Sequence, residues 1–366
     1  MTSALTIGID ARAAVEVPAG RGRLVRELLA ALGERDDPHR YLCYARTRWP
    51  QTLDERFEWR LVAGRDPLWH WRAARAVDRE CDVFLATNSY LSVLLTRRPS
   101  VAIVYDLVAL DPATSPNRRS ALIERLTLDA AVRRARGLVC ISESTRTELV
   151  ARTPAVARKA TVALLAAGGD PGLLDNEEAR GLPASGFVLA VGTLEPRKNL
   201  PRLVDAYARL PADLQARHPL VVVGAAGWRT GETLAALRSL GDRCRTLGHV
   251  SDAALAELYR RCAVFCYPSL AEGFGLPVLE AMAAGAPVLT SNVSSLPEVG
   301  GRAAAYADPG DTASIAGELR ALLEDPERRG ALARAGVARA AEFSWTRFAG
   351  GVLEALEQAA QASTRS

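Results

Sequence analysis

Short runs of apolar, often β-branched residues alternate with amphipathic helical stretches along nearly the whole chain, and this alternation narrows its fold more than any other feature. A strand-like run, a helix-length amphipathic stretch and a further strand-like run form the pattern of βαβ units, whose strands lie parallel. In the first half the runs predict strands near Leu5 to Asp10, Tyr41 to Ala45, Phe57 to Val62, Asp82 to Ala86, Val101 to Tyr105, Gly137 to Ile141 and Thr161 to Leu165. Helices fill the gaps; Leu24, Val25, Leu28, Leu29 and Leu32, for example, share one stripe.

A polar, turn-rich stretch from Gly168 to Ser185 interrupts the rhythm as a linker would. Strands are then expected at Phe187 to Val191, Leu220 to Val223, Arg245 to Leu247, Val264 to Tyr267, Pro287 to Thr290 and Ala304 to Tyr306. Helical patterns follow near 200–210, 232–240, 252–261, 276–284, 312–323, 327–341 and 345–360. A chain of 366 residues exceeds what one core usually supports. The expected fold class is therefore α/β, with two Rossmann-like, doubly wound parallel-sheet domains, 1–175 and 176–344, facing a cleft.

The stretch Ala271-Glu272-Gly273-Phe274-Gly275-Leu276-Pro277-Val278-Leu279-Glu280 carries the sharpest chemistry. Gly273 and Gly275 let the backbone take unusual angles and present N–H groups closely to an anion. Pro277 suits the first turn of a helix, which places the helix start near Leu276 and its positive end at the turn, where phosphate binds without a metal. Glu272 can accept hydrogen bonds from sugar hydroxyls and Glu280 from the vicinal hydroxyls of a ribose. The plainer account of Glu280 is a carboxylate that complements the helix dipole.

A second cluster, Val191-Gly192-Thr193-Leu194-Glu195-Pro196-Arg197-Lys198-Asn199, follows a strand and precedes a helix, at the sheet edge where open α/β sheets bind ligands. Arg197 and Lys198 can neutralise a diphosphate there, or simply be two solvated cations at a helix entry.

Together these segments resemble the donor half of a retaining GT-B glycosyltransferase of family 4, the glycosyltransferase group 1. The resemblance extends through Val222-Val223-Gly224, Leu247-Gly248-His249-Val250-Ser251, Tyr267-Pro268-Ser269, Gly285-Ala286-Pro287-Val288 and Leu296-Pro297-Glu298-Val299 to Phe343-Ser344-Trp345. It implies that Gly192, Thr193, Arg197 and Lys198 meet the donor diphosphate, that Glu272 lies near the donor sugar, and that Glu280 holds the ribose. Backbone at Gly273, Phe274, Gly275 and Leu276 would meet phosphate or sugar hydroxyls, and His249 and Val250 would line the base. The last helix, about 345–366, is expected to pack back on the first domain. Ile7 to Arg12 followed by Gly20-Arg21-Gly22-Arg23 looks like the family's opening strand and glycine-rich loop, with Gly20 and Gly22 reaching donor phosphates. A dinucleotide loop is the competing reading, but no Gly-x-Gly-x-x-Gly follows the strand, since position 25 is Val25.

One departure concerns catalysis. Family members commonly carry His-Asp-Leu after the fifth strand, where this chain has Tyr105-Asp106-Leu107. Tyrosine can donate a hydrogen bond but does not become a cation near neutral pH. Tyr105, Asp106, Glu272, Arg197 and Lys198 are the catalytic candidates, with Asp106 alternatively a cap or turn residue.

The resemblance implies an enzyme that moves a hexose from a nucleoside diphosphate sugar, GDP-mannose or a UDP-hexose, to a hydroxyl of a glycan, lipid-linked or small-molecule acceptor. Acceptor contacts are expected on first-domain loops such as Asn88-Ser89-Tyr90 and Asp111 to Asn117. No cofactor and no metal is expected: His39, His70, His218 and His249 show no metal spacing, and no Asp-x-Asp stands at a strand end. An epimerase or a phosphorylase on the same plan, or a binding protein weakened in turnover, are the other readings.

Charge bears on partners. Residues 1–175 hold 26 Lys+Arg against 21 Asp+Glu, a balance of +5, and the remainder is −1, which sums to the net +4. Basic pairs such as Arg97/Arg98, Arg118/Arg119 and Arg133/Arg134 can meet an anionic lipid surface or a phosphorylated acceptor, or form an ordinary solvated face. No nucleic-acid module accompanies them. Six cysteines within apolar surroundings, no signal segment and no run long enough to span a bilayer point to a cytoplasmic protein, with peripheral contact to the inner membrane face as the alternative to a purely solvated surface.

Overall fold

A computed structural model describes residues 4–17, 20–107, 118–168 and 173–364. It divides into two compact units, Met1–Leu165 together with Ser344–Ser366, and Ala166–Phe343. Asp111 to Asn117, expected to contact the acceptor, lies outside the described residues.

Among the described residues of the first unit, seven strands form one sheet: β1 (Thr6–Asp10), β2 (Arg40–Ala45), β3 (Phe57–Leu61), β4 (Val83–Ala86), β5 (Ser100–Val104), β6 (Gly137–Cys140) and β7 (Ala160–Val162). The order is β3-β2-β1-β4-β5-β6-β7, and all pairings are parallel. β4, β5 and β6 are buried along their whole length, which is why they read as unbroken apolar runs. Phe84, Ala102, Val104 and Leu138 join Trp69, Val77 and Val93 of the crossover helices in one core. On the opposite face Gly137 lies under the C-terminal helix Trp345–Thr364, where an added Cβ would sit 3.6 Å from the Ala355 carbonyl. That helix packs on β4, β5, β6 and the helix Arg21–Gly33.

The second unit, among its described residues, has six strands: β8 (Val188–Val191), β9 (Leu220–Val223), β10 (Cys244–Gly248), β11 (Val264–Tyr267), β12 (Val288–Ser291) and β13 (Ala305–Ala307). Their order is β10-β9-β8-β11-β12-β13, again parallel throughout. Each sheet reverses its winding once, between β1 and β4 and between β8 and β11. Ligands of doubly wound sheets bind beyond the carboxyl ends of strands at such a reversal.

The stretch expected to be a bare linker contains a helix, Asn176–Gly181. Asp175 caps it, its carboxylate accepting from the Glu178 N–H at 2.7 Å, and Glu177 and Glu178 complement the dipole in the first turn. Asn88-Ser89-Tyr90, read as a loop, is the start of the helix Tyr90–Leu95, with Ser89 as its cap. The cysteines are free thiols; all are buried except the half-buried Cys244. No helix of the described residues is long and apolar enough to cross a membrane.

Leu356 is fully buried in the C-terminal helix. Leu356→Ala should cost about 2–5 kcal/mol. Hydrogen exchange should rise in peptides covering β4 to β6 and stay unchanged over β11, although Leu356 follows the second unit in sequence.

Candidate active site

β8 leads into Gly192, whose φ of 142° suits a glycine and whose missing Cβ leaves room for the Lys198 stem, 3.1 Å away. A single 3₁₀ turn, Pro196–Lys198, follows, and Asn199 closes it in the left-handed region at φ 58°. The buried Asn199 amide donates to the carbonyls of Pro268 at 3.0 Å and Pro309 at 2.8 Å. The turn after β8 is thereby fastened to the loops after β11 and β13. Gly224, after β9, stacks against it so closely that a Cβ would lie 2.0 Å from the Gly192 carbonyl oxygen.

Arg197 and Lys198 converge on Glu272. The Glu272 carboxylate accepts from the Arg197 guanidinium, from Lys198 Nζ at 2.7 Å and from the Tyr267 hydroxyl at 2.8 Å. Arg197 also donates to Glu195 at 2.7 and 3.0 Å and to the Ala271 carbonyl at 2.9 Å. Lys198 donates to the Tyr267 hydroxyl and lies 4.8 Å from the center of its ring. Only 8% of the Glu272 side chain is exposed, against 18% for Arg197 and 11% for Lys198.

Burial pushes the Glu272 carboxyl up, but Lys198 and Arg197 outweigh it and hold the group down at about 2. For Lys198 burial wins, with Glu272 opposing and Arg197 adding to the depression. The guanidinium of Arg197 is raised: burial works against its charge, and Glu272 more than offsets that. Burial, and then the Glu272 charge, drive the Tyr267 phenol well up.

The block that follows Glu272 folds as Pro277 dictates. Gly275, at φ 106°, caps the helix Leu276–Ala283, and a Cβ on it would strike Leu296 at 2.8 Å. The Glu272 N–H donates to Ser294 Oγ at 3.0 Å, and the single Ser295 hydroxyl proton is shared between the carbonyls of Glu272 (2.9 Å) and Phe274 (2.8 Å). Gly273 and Phe274 are thus shaped by the loop after β12. Glu280 lies in the second turn of the helix and accepts from the Tyr259 hydroxyl at 3.4 Å. Thr193 is exposed on the first turn, and His249 (exposed) and Val250 (half-buried) follow the end of β10.

In the first unit Gly20 caps the helix Arg21–Gly33 at φ 53°. Gly22 is required by packing: a Cβ there would lie 1.7 Å from the Val17 carbonyl oxygen. Tyr105 follows β5 and donates its hydroxyl proton to the Thr87 carbonyl at 2.5 Å, beneath the Arg21 guanidinium 5.2 Å from its ring center. Burial raises its phenol. Tyr105, Asp106, Arg21 and Asn88–Tyr90 line a pocket of about 340 Å3, and Asp66 and His70 share its wall.

Behind that wall lies a network which the sequence did not reveal. The buried Arg12 donates to Asp10 (3.2 Å) and to Asp66 (2.9 Å), its guanidinium 3.9 Å from the center of the Trp69 ring. It also faces His70 Nε2 at 3.3 Å. Arginine only donates, so Nε2 is the acceptor and Nδ1 carries the proton, donated to Ser92 Oγ at 2.8 Å. Burial, reinforced by Arg12, holds the His70 pKa down. These partners are distant in sequence and carry no local signal.

Residues 177–339 match the model of the family described as glycosyl transferases group 1. The chain is 34% identical over 299 residues, 78% of its own length and 76% of the other's, to the O-antigen chain mannosyltransferase B of Escherichia coli. The chain belongs to the group 1 glycosyltransferases. The serotype-specific mannosyltransferase WbdA of Escherichia coli is 32% identical over 280 residues, which cover 72% of this chain and 34% of that longer protein. Among solved structures, the sucrose-phosphate synthase of Thermosynechococcus elongatus superposes with a TM-score of 0.75 at 20% identity, over 99% of this chain and 100% of that one. Anabaena HepE, solved in complex with UDP and glucose, gives 0.73 at 18% identity over 96% and 99%. This glycosyltransferase therefore has the GT-B fold.

Glu272 is ionised at lower pH in the folded glycosyltransferase than in the unfolded chain, where 4.5 is the ordinary value. Its contribution, up to about 3 kcal/mol, is complete above pH 4.5 and lost as pH falls toward about 2. Urea melts across that range should show the loss, and Glu272→Gln should lower stability near neutrality and flatten the acid limb.

Proposed function

We propose that this glycosyltransferase moves a mannosyl residue from a nucleoside diphosphate donor, GDP-mannose ahead of the UDP-hexoses, to a glycan hydroxyl with retention of configuration and without a metal. The supporting observation is the Arg197–Glu272–Lys198 network at the carboxyl edge of β8 and β11, next to the start of the helix Leu276–Ala283. A mannosyl donor is favored because the relatives named above are mannosyltransferases.

The network leaves donors for a ligand. A guanidinium has five N–H groups and an ammonium three. Arg197 uses four in the bonds above and Lys198 two, so one N–H of each is left to a diphosphate. Backbone N–H groups from Phe274 to Leu276 add the helix-terminal partners. As the bond to the anomeric carbon breaks, these groups take up charge developing on the leaving phosphate. N–H donors of this kind can fill that role without a metal.

A carboxylate held at about 2 is a poor proton acceptor near neutrality, so Glu272 positions the cations and the sugar. The departing phosphate then takes the proton of the acceptor hydroxyl as that oxygen bonds to the same face of the sugar. Glu280 receives the ribose hydroxyls, and the pocket beside Tyr105 and Asp106 receives acceptor groups. Because Tyr105 donates to Thr87, its hydroxyl serves the sugar only as an acceptor while that bond stands.

Calorimetric titration with GDP, UDP and their sugars tests this reading. Glu280→Ala should weaken nucleotide binding about tenfold, and Lys198→Ala should lower turnover by about a hundredfold or more, with transfer persisting in excess chelator. Unchanged binding in Glu280→Ala, loss of activity in chelator, or donor conversion without an acceptor would each overturn the corresponding part.

A further inference from the structure

We propose that the outward face of the helix Leu68–Glu80 docks this enzyme on an anionic lipid bilayer. The inward residues of that helix, Trp69, His70, Ala73, Ala74 and Val77, are buried. Its outward stripe combines Leu68 and Trp71, the latter 49% exposed, with Arg72, Arg75 and Arg79, and the exposed Arg65 lies just before its first turn. Leu61, at the end of the edge strand β3, is 61% exposed. The two helices packed next in line, Tyr90–Leu95 and Arg118–Arg134, also carry exposed leucines, Leu95 and Leu126. Large apolar side chains left in water beside unpaired cations mark a contact surface.

The acids nearby are already engaged. Glu80 pairs with Arg60, Asp66 with Arg12 and Arg46, and Asp78 accepts from Thr96 and the Arg97 N–H. Arg65, Arg75 and Arg79 form no ion pair among the described residues, and Arg75 lies over the Trp71 ring at 5.1 Å. A second copy meeting this face with its own would set these arginines against each other. The partner must be negative at its surface and apolar just beneath. A bilayer with anionic headgroups has that profile: indole favors the interface, and each arginine near the surface adds attraction.

Asp66 and His70, near the start of the same helix, line the first-unit pocket. If that pocket receives the acceptor, which rests on the function proposed above, the docked enzyme draws its acceptor from the membrane as a lipid-linked glycan. The docking itself does not depend on that reading.

The test is co-sedimentation of the full chain with vesicles of phosphatidylcholine, with and without phosphatidylglycerol. Binding should require the anionic lipid and fall as salt is raised. Trp71→Ser with Arg75→Glu and Arg79→Glu should weaken binding by about tenfold or more. Arg238→Glu with Arg334→Glu, an equal change of charge at exposed positions of the second unit, should leave it within about twofold. Circular dichroism melts and nucleotide titration of each variant show whether the fold and the donor site are intact. Absence of binding to anionic vesicles at low salt, equal binding to neutral ones, or full binding by the folded triple variant would overturn the proposal. None of these results would alter nucleotide affinity, so failure here is distinct from failure of the donor reading.

Discussion

The carboxyl edge of the second unit's sheet depends on one carboxylate withdrawn from water between two cations. Glu272 comes from the loop after β11, and Arg197 and Lys198 come from the turn after β8, more than seventy positions earlier. Both loops are polar and neither could hold its shape alone against the entropy of ordering it. The buried ion pairs fix it, and backbone bonds follow: the Leu270 N–H donates to the Arg197 carbonyl at 2.9 Å, and Arg197 reaches back to the Ala271 carbonyl. Removing one partner of such a group strands a buried charge, which typically costs about 3–5 kcal/mol. The site is thus rigid for an electrostatic reason before any ligand arrives.

The same arrangement changes what the cations offer. Read from sequence, Arg197 and Lys198 are two positive charges waiting for a diphosphate. In the folded unit Glu195 and Glu272 balance them, so the local sum is zero. What this edge presents to any anion is directed N–H groups, not a bare double charge. That favors a ligand whose oxygens match the donor geometry over any anion of sufficient charge, because specificity by hydrogen bonding outlasts the screening that weakens simple attraction.

The fold was legible wherever one local constraint decided the structure. Strands buried on both faces had to be unbroken apolar runs, so β5, β8 and β9 stood out. Pro277 with Gly275 left one place for the helix to begin. Legibility failed where partners are remote or where a single side chain tips the balance. Asp175 turned part of an apparent linker into a helix. Tyr267 looked like a strand residue and is the third ligand of the Glu272 carboxylate. The approach of the Val17 carbonyl to Gly22, which leaves no room for a Cβ, likewise has no local sequence signal.

Each unit carries a buried arginine–carboxylate network at the carboxyl ends of its central strands, and the two differ in the groups they leave open. Such networks stabilize a fold little compared with apolar packing of equal volume, even where, as at Glu272, they hold two polar loops together once they are built. In the first unit Arg12 is 2% exposed, sealed by Trp69, and what reaches the pocket is a neutral imidazole, amide and hydroxyl set with Asp66, Asp106 and Arg21 at the margin. That set suits the hydroxyls of a glycan. In the second unit the cations themselves remain partly open, with N–H groups to offer. The same fold therefore seals one arginine under an aromatic ring in the first unit and leaves another partly open to solvent in the second.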